Sequence, residues 1–234
     1  MRNLKKAAIY CILKSKDTIV NLCVEMILFV FVCFGLYSGF LKQKSVPELT
    51  LLMYVLILGS TLIVANSMIV DLTVKDKLSN RLEFFMSSGI KIKNIINSYT
   101  IQMLRVASVI PFFIFLVFYV SLDFNYNFME MVVFYITTAL LAYGEIYFFN
   151  VISFSARKNK LFKNIIFFGT FIVIYMTGMF SKEIVKFLVS VNIDIIYGLV
   201  VFNVCIFAFL LILGMIKIKE LNNEKVLKTK GEWV

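Results

Sequence analysis

The chain has 234 residues, of which 61% are hydrophobic, with a mean hydropathy of +0.90 and a formal net charge of +10. Soluble domains sit near half apolar, so this composition excludes an ordinary soluble globular protein and indicates a membrane one. Histidine is absent, which excludes His-based catalysis, His metal ligation and His proton relays, and with them intramembrane metalloproteases and Ser–His intramembrane proteases.

Residues 2–17 are basic and semi-apolar. Leu4, Ala7, Ala8, Cys11 and Ile12 fall at helical spacing, with Lys5, Lys6 and Lys16 elsewhere. The pattern predicts an amphipathic helix along the cytosolic membrane face, an ordinary basic flank being the alternative. A helix needs about 20 apolar residues to cross a bilayer. Six runs qualify: Ile19–Leu41, Leu49–Val70, Ile101–Leu122, Met131–Phe154, Asn164–Phe180 and Ile195–Ile216. They leave little for a soluble domain, so residues 1–234 are expected to form a single polytopic domain. The first run is longer than a signal-peptide core and no small-x-small site follows it, so it is expected to be retained. It contains Gly35-Leu-Tyr-Ser-Gly39, a spacing of small residues that lets helices approach closely. The second run opens on Ser45-Val-Pro47-Glu48, a helix start with Ser as cap, Pro in the first turn and Glu at the positive dipole end.

Between the second and third runs lies a polar, basic stretch, residues 71–100. Thr73-Val-Lys-Asp76 has the spacing of a capping box. Leu78, Leu82 and Phe85 recur at i, i+4 and i+7, Ser88-Gly89 is a stop, and Ile92, Ile95, Ile96 and Tyr99 restart an apolar stripe. Two short helices across the base of the spans are expected, the alternative being a plain extension of spans two and three into water. The loop between spans three and four is short and carries Asp123 and Glu130. Ser181–Ser190, after a short fifth span, is too short to cross and too apolar for a free loop, so a short interfacial or re-entrant helix is expected on the outer side. Residues 217–234 form a basic tail.

The charges are sorted by side. With the N-terminus inside, the N-terminal segment, the 71–100 stretch with Arg105, the loop after span four and the tail together hold 20 Lys and Arg; the other side holds Lys42, Lys44, Lys182 and Lys186. This positive-inside bias places both termini in the cytosol and accounts for the basic balance without a nucleic-acid partner, leaving anionic lipid headgroups as the ordinary use of the charge. The cysteines Cys11, Cys23, Cys33 and Cys205 include no CxxC pair, so neither a disulfide framework nor a metal site is expected. No GxxxxGK[ST] loop occurs, and nothing else suggests an enzyme. Ionisable groups inside spans are expensive and mark function or pairing. Glu25, Arg105 and Glu145 lie at similar depth toward the cytosolic side. They are expected either to pair or snorkel, one Glu with Arg105, or to contribute to a translocation path, the other Glu lining an inward-facing cavity. Asn66, Asn150 and Asn203 are expected to bond between helices.

This layout, and the stretch Leu82-Glu83-Phe84-Phe85-Met86-Ser87-Ser88-Gly89-Ile90, resemble the ABC-2 type transporter permeases. The stretch is similar to that family's L-E-x-L-L-x-[ST]-P-[IV] segment after the second span, with Gly89 in place of the usual Pro and without the preceding Gly-Thr. The resemblance covers essentially the whole chain. It implies an all-α membrane protein with six transmembrane helices, an N-terminal amphipathic interface helix, a cytosolic coupling helix between spans 2 and 3, and a short outer half-helix between spans 5 and 6. It further implies a permease subunit in the plasma membrane that pairs with a second permease subunit and docks a separate ABC ATP-binding subunit, which binds ATP and Mg; this chain would hold no cofactor. Residues 78–88 would be the coupling helix, with Leu78, Leu82, Phe85 and Met86 as apolar docking groups and Arg81 and Glu83 as polar ones. Small six-span members with no large extracellular domain often resemble exporters of bacterial peptides or subunits conferring immunity to peptide antibiotics, and the resemblance implies such a role here. Drug, lipid or sodium export, and a non-transporting scaffold or immunity protein, are the alternatives. The Lys-over-Arg, Ile, Asn and Phe bias suggests an AT-rich bacterial genome.

Overall fold

In a computed structural model, residues 2–41, 45–78, 81–122, 126–155 and 179–221 are described, together with residues 172, 176 and 226. Among these the chain is helical and has no strand. Helix α1 spans Arg2–Lys14 and α2 Lys16–Tyr37. Helix α3 (Val46–Met68) continues through a π-helical stretch, Ile69–Val74, into the short α4 (Lys75–Leu78). Then come α5 (Arg81–Ser87), α6 (Ile92–Ala107), α7 (Val109–Ser121), α8 (Phe128–Ser155), α9 (Ser181–Ser190) and α10 (Ile195–Glu220).

Among the described residues, four helical segments are long and apolar enough to cross a membrane: α2, α3 with its continuation, α8 and α10. A fifth results if α6 and α7, bent by 41° at Ser108, are one broken span. The run Asn164–Phe180, expected as another span, lies outside the described residues but for residues 172, 176, 179 and 180, as do the charges from Arg157 to Lys163 and most of the basic tail.

The ends of these helices follow local rules. Ser45 precedes α3, Pro47 lies in its first turn, and the Glu48 carboxylate accepts from the Ser45 backbone N–H at 3.3 Å, so groups that a helix start leaves orphaned are covered. The Asp194 carboxylate accepts from Ile196 N–H at 2.8 Å to start α10. Tyr126 donates to the same carboxylate at 3.3 Å, tying the approach to α8 to the start of α10. Burial, and then the charge of Asp194, push the Tyr126 phenol up to about 12.

Two of the expected signals resolve differently. The Gly35–Gly39 pair is no helix–helix seam: α2 ends at Tyr37, and Gly39 sits beyond it at φ +77°, with open space where a side chain would point. Gly39 thus terminates the helix. Nor does Thr73 start a helix. The helix of span two runs on through it, and the Thr73 hydroxyl donates to Asn150 Oδ1 of α8 at 2.5 Å. A buried hydroxyl with a partner across the bundle outweighs a local cap.

Two apolar clusters are stacked along the bundle. One joins α1, the lower part of α3, α5, α6 and the C-terminal part of α8. The other joins the ends of α2 and α7 with the starts of α3, α8 and α10, and α9 packs Ile184, Val185 and Leu188 onto it. Helix α5 and helix α9 therefore lie at opposite ends of the bundle. Each cluster is pinned by one asparagine. Asn203 of α10 accepts from Tyr54 Oη at 2.8 Å and donates to Thr138 Oγ1 of α8 at 3.2 Å. Asn150 accepts from Thr73 and donates to Thr100 Oγ1 of α6 at 3.2 Å. Both were expected to bridge helices, and both do; Asn66 is buried in α3.

Candidate functional site

The end of the bundle that carries α1 and α5 concentrates the polar chemistry. Its base is apolar. Leu4, Ala8 and Ile12, one stripe of α1, are buried against Leu82 and Met86 of α5 and Ile92, Ile95, Ile96 and Tyr99 of α6. The spacing i, i+4, i+8 gives α1 its inward face, and the outward face shows Tyr10 and Leu13 to the surroundings.

Above that base run ionic and hydrogen-bonded contacts that link α1, α2, the extension of α3, α5, α6 and α8. Ser15, at the α1–α2 corner, accepts from Thr18 N–H and gives its own hydroxyl proton to the Asp71 carboxylate. Lys75 pairs with the same carboxylate at 2.6 Å. One turn on, Asp76 is almost fully enclosed. Arg81 of α5 pairs with it at 3.0 Å, and Tyr99 of α6 donates to it at 2.6 Å. The other guanidinium nitrogen of Arg81 donates to Cys11 Sγ of α1 at 3.2 Å. That bond, helped by the Asp76 charge, raises the Arg81 pKa above its ordinary range, so the side chain is cationic at any working pH. Lys77, also buried, donates to the Ser153 carbonyl of α8 at 3.3 Å. Helix α5 is thereby fastened to α1 and to the extension of α3, which Tyr99 in turn joins to α6.

The residues expected to form the docking face divide between inside and outside. Leu82 and Met86 point into the bundle, 2% and 8% exposed, and Phe85 packs partly against the same cluster. The apolar stripe of α5 is consumed by the chain's own core, because Leu82 and Met86 join the cluster built with α1, α3, α6 and α8. Arg81 is half-exposed but committed to Asp76; Glu83 is half-buried on α5; Leu78 closes α4, its side chain lying outside the described residues. The aromatic that does face outward is Phe84, 70% exposed. It stands in edge contact with Phe85 and is followed by exposed Ser87 and Ser88. Gly89, at φ +77°, ends the helix. Proline, restricted to φ near −65°, has no access to that backbone, so the departure from the L-E-x-L-L-x-[ST]-P-[IV] pattern at this position is a conformational one.

The intramembrane charges are not paired as expected. Arg105 is exposed on α6 and makes no ion pair with Glu25 or Glu145. It is turned toward α1, where it lines a cleft with Lys5 and Lys6. Similar depth along two helices does not bring side chains together unless their rotation about the helix axes agrees as well. Glu25 is buried in α2, and neither carboxylate oxygen has a hydrogen-bond partner among the described residues. Glu145 is half-buried on α8 and interacts electrostatically with Tyr54 of α3.

Compared with protein-family models, curated proteins and solved structures, the chain matches none. The reading of this site therefore rests on its own geometry. The seven-residue α5 is tied to Asp76 of the α3 extension and to Cys11 of α1, and presents one aromatic side chain outward. Arg81 ties α5 to Asp76 of the α3 extension, and Tyr99 of α6 bonds the same carboxylate.

Proposed function

We propose that this chain is the membrane subunit of an ATP-driven ABC exporter of the ABC-2 type, moving amphipathic peptides or other hydrophobic compounds across a bacterial plasma membrane. In this reading six spans place both termini in the cytosol, α1 is the interface helix, α5 the coupling helix and α9 the outer half-helix. The observation that carries it is the clamped α5 with Phe84 turned outward. A helix with its apolar side locked into the spans transmits force, and an exposed aromatic at its centre is the kind of anchor that fills a pocket on a partner. The partner is an ATP-binding subunit that supplies nucleotide, Mg and hydrolysis; a second permease subunit completes the translocation unit. The proposal makes this chain a translocase subunit with no catalytic residue.

The test separates the outward face from the inward one. The full chain is purified from its native cell in mild detergent, and the proteins retained with it are identified. The expected result is a stoichiometric P-loop ATPase, lost on Phe84→Asp while the variant keeps the melting temperature of the parent. Leu82→Asp is expected to unfold the end of the bundle instead, since it buries a charge in an apolar cluster. A preparation that preserves other membrane complexes yet yields no ATPase overturns the permease reading in favour of a non-transporting scaffold or immunity protein.

A further inference from the structure

We infer that the cleft between α1 and α6 binds the phosphate of an anionic glycerophospholipid headgroup. The cleft measures about 580 Å³. Its cations are Lys5 and Lys6 from one turn of α1 and Arg105 from α6; Ile9, Tyr10 and Leu13 form an apolar wall. Among the described residues no carboxylate pairs with any of the three cations, and no acidic side chain lines the cleft. Gln102 lies against it, fully buried, and neither its amide nitrogen nor its amide oxygen has a partner among the described residues. Buried polar groups are nearly always satisfied, and a phosphate oxygen held by the three cations would offer the Gln102 N–H an acceptor.

The neighbouring cleft on the other side of α1 shows what the first one lacks. There Lys14, Lys75 and Arg81 meet Asp71 and Asp76, which already neutralise Lys75 and Arg81. The α1–α6 cleft keeps its charge uncompensated. Its position favours a lipid over a free anion. Arg105 sits one turn before the bend at Ser108, beyond which α7 carries no charged residue and shows Val109, Phe112 and Phe113 on its surface. A headgroup at Arg105 would lay its acyl chains along those side chains, and the apolar wall from α1 would cover the glycerol. The inference holds whichever activity the bundle serves, because it uses neither Phe84 nor a partner subunit.

The test is native mass spectrometry of the delipidated full chain, offered phosphatidylglycerol and phosphatidylcholine in equal amounts. Preferential retention of phosphatidylglycerol is expected. Since each cation near a headgroup is worth about a fivefold change in affinity, Arg105→Gln should lower the preference by about that factor, and the triple change of Lys5, Lys6 and Arg105 to Gln should abolish it. Lys182→Gln/Lys186→Gln at the far end of the bundle should leave it intact. A preference that survives the triple change, or no preference in the parent, overturns the assignment. Displacement of bound phosphatidylglycerol by inorganic phosphate at comparable concentration also overturns it, and leaves a free-anion site in its place.

Discussion

At the scale of single residues, Asp76 governs the clamp. Its side chain is 2% exposed and has two partners, Arg81 and Tyr99. Truncating Arg81 to Ala leaves an enclosed carboxylate with one neutral donor, which is costly even though the arginine itself is about half in solvent. A loss of about 1–2 kcal/mol is expected, below the figure for a fully buried pair because Arg81 is partly screened. The double change Arg81→Ala/Asp76→Asn should recover part of it, since the amide accepts from Tyr99 without carrying a charge. Melting temperatures of the three proteins in one detergent read this directly. The residue types of the clamp were visible in the sequence, because Arg81 and Asp76 sit five apart in a basic stretch. Their pairing with Tyr99 and Cys11 was not, since both partners come from other helices. The same reason hid Phe84. The recurrence of Leu78, Leu82 and Phe85 marks an apolar face, but nothing in that spacing tells that the bundle's own core takes it up and leaves the next aromatic outside.

At the scale of helices, four of the six hydrophobic runs fall on long helices, while the third falls on the bent pair α6 and α7 and the fifth lies mostly outside the described residues. The stop at Gly89 and the restart of an apolar stripe at Ile92 also fall where α5 ends and α6 begins. What periodicity missed was close approach. Among the described residues the most extensive helix pair is α8 with α10, and its spacing depends on two glycines that no GxxxG pattern flags. A Cβ at Gly144 would stand 2.9 Å from Phe207 Cδ2, and one at Gly214 only 2.6 Å from Tyr147 Cε1. Tyr147 is itself buried and has little room to turn. Gly214→Ala is therefore expected to cost about 1–3 kcal/mol by overpacking. Tyr147→Phe should not relieve it, because the clash is with a ring carbon that Phe retains, whereas Tyr147→Leu should. Gly89→Ala makes a useful contrast. Its Cβ meets open space, so only the positive φ opposes it, and a cost of about 1 kcal/mol confined to α5 is expected. Thermal unfolding in detergent distinguishes the pair: Gly214→Ala is rescued by a change on α8, and Gly89→Ala by none.

At the scale of the whole molecule, burial grades the spans. The most apolar window of α2 and that of α10 are each only 17% buried within the chain, against 67% for α3 with its continuation. Helix α3 is thus the axis of the bundle, and α2 and α10 offer their sides to lipid or to another subunit. The ends matter more for orientation. The C-terminus of α8 packs beside α5, and Lys77 reaches its Ser153 carbonyl; α9 instead packs beside the starts of α3 and α10. One end of the bundle thus holds Lys5, Lys6, Lys75, Lys77 and Arg81, and the other holds Lys182 and Lys186. The positive-inside bias supports the proposal that the first end faces the cytosol. Single cysteines placed by Ser87→Cys and Ser190→Cys, in a chain whose four native cysteines are replaced, put that orientation to a direct test. A membrane-impermeant maleimide added to intact cells should label position 190 and reach position 87 only after the membrane is opened. Labelling of position 87 in intact cells would turn the molecule over, and with it the proposal that α5 meets an ATP-binding subunit, because nucleotide is on the other side. Labelling of both positions from one side would mean that α5 and α9, though at opposite ends of the bundle, are not separated by the bilayer.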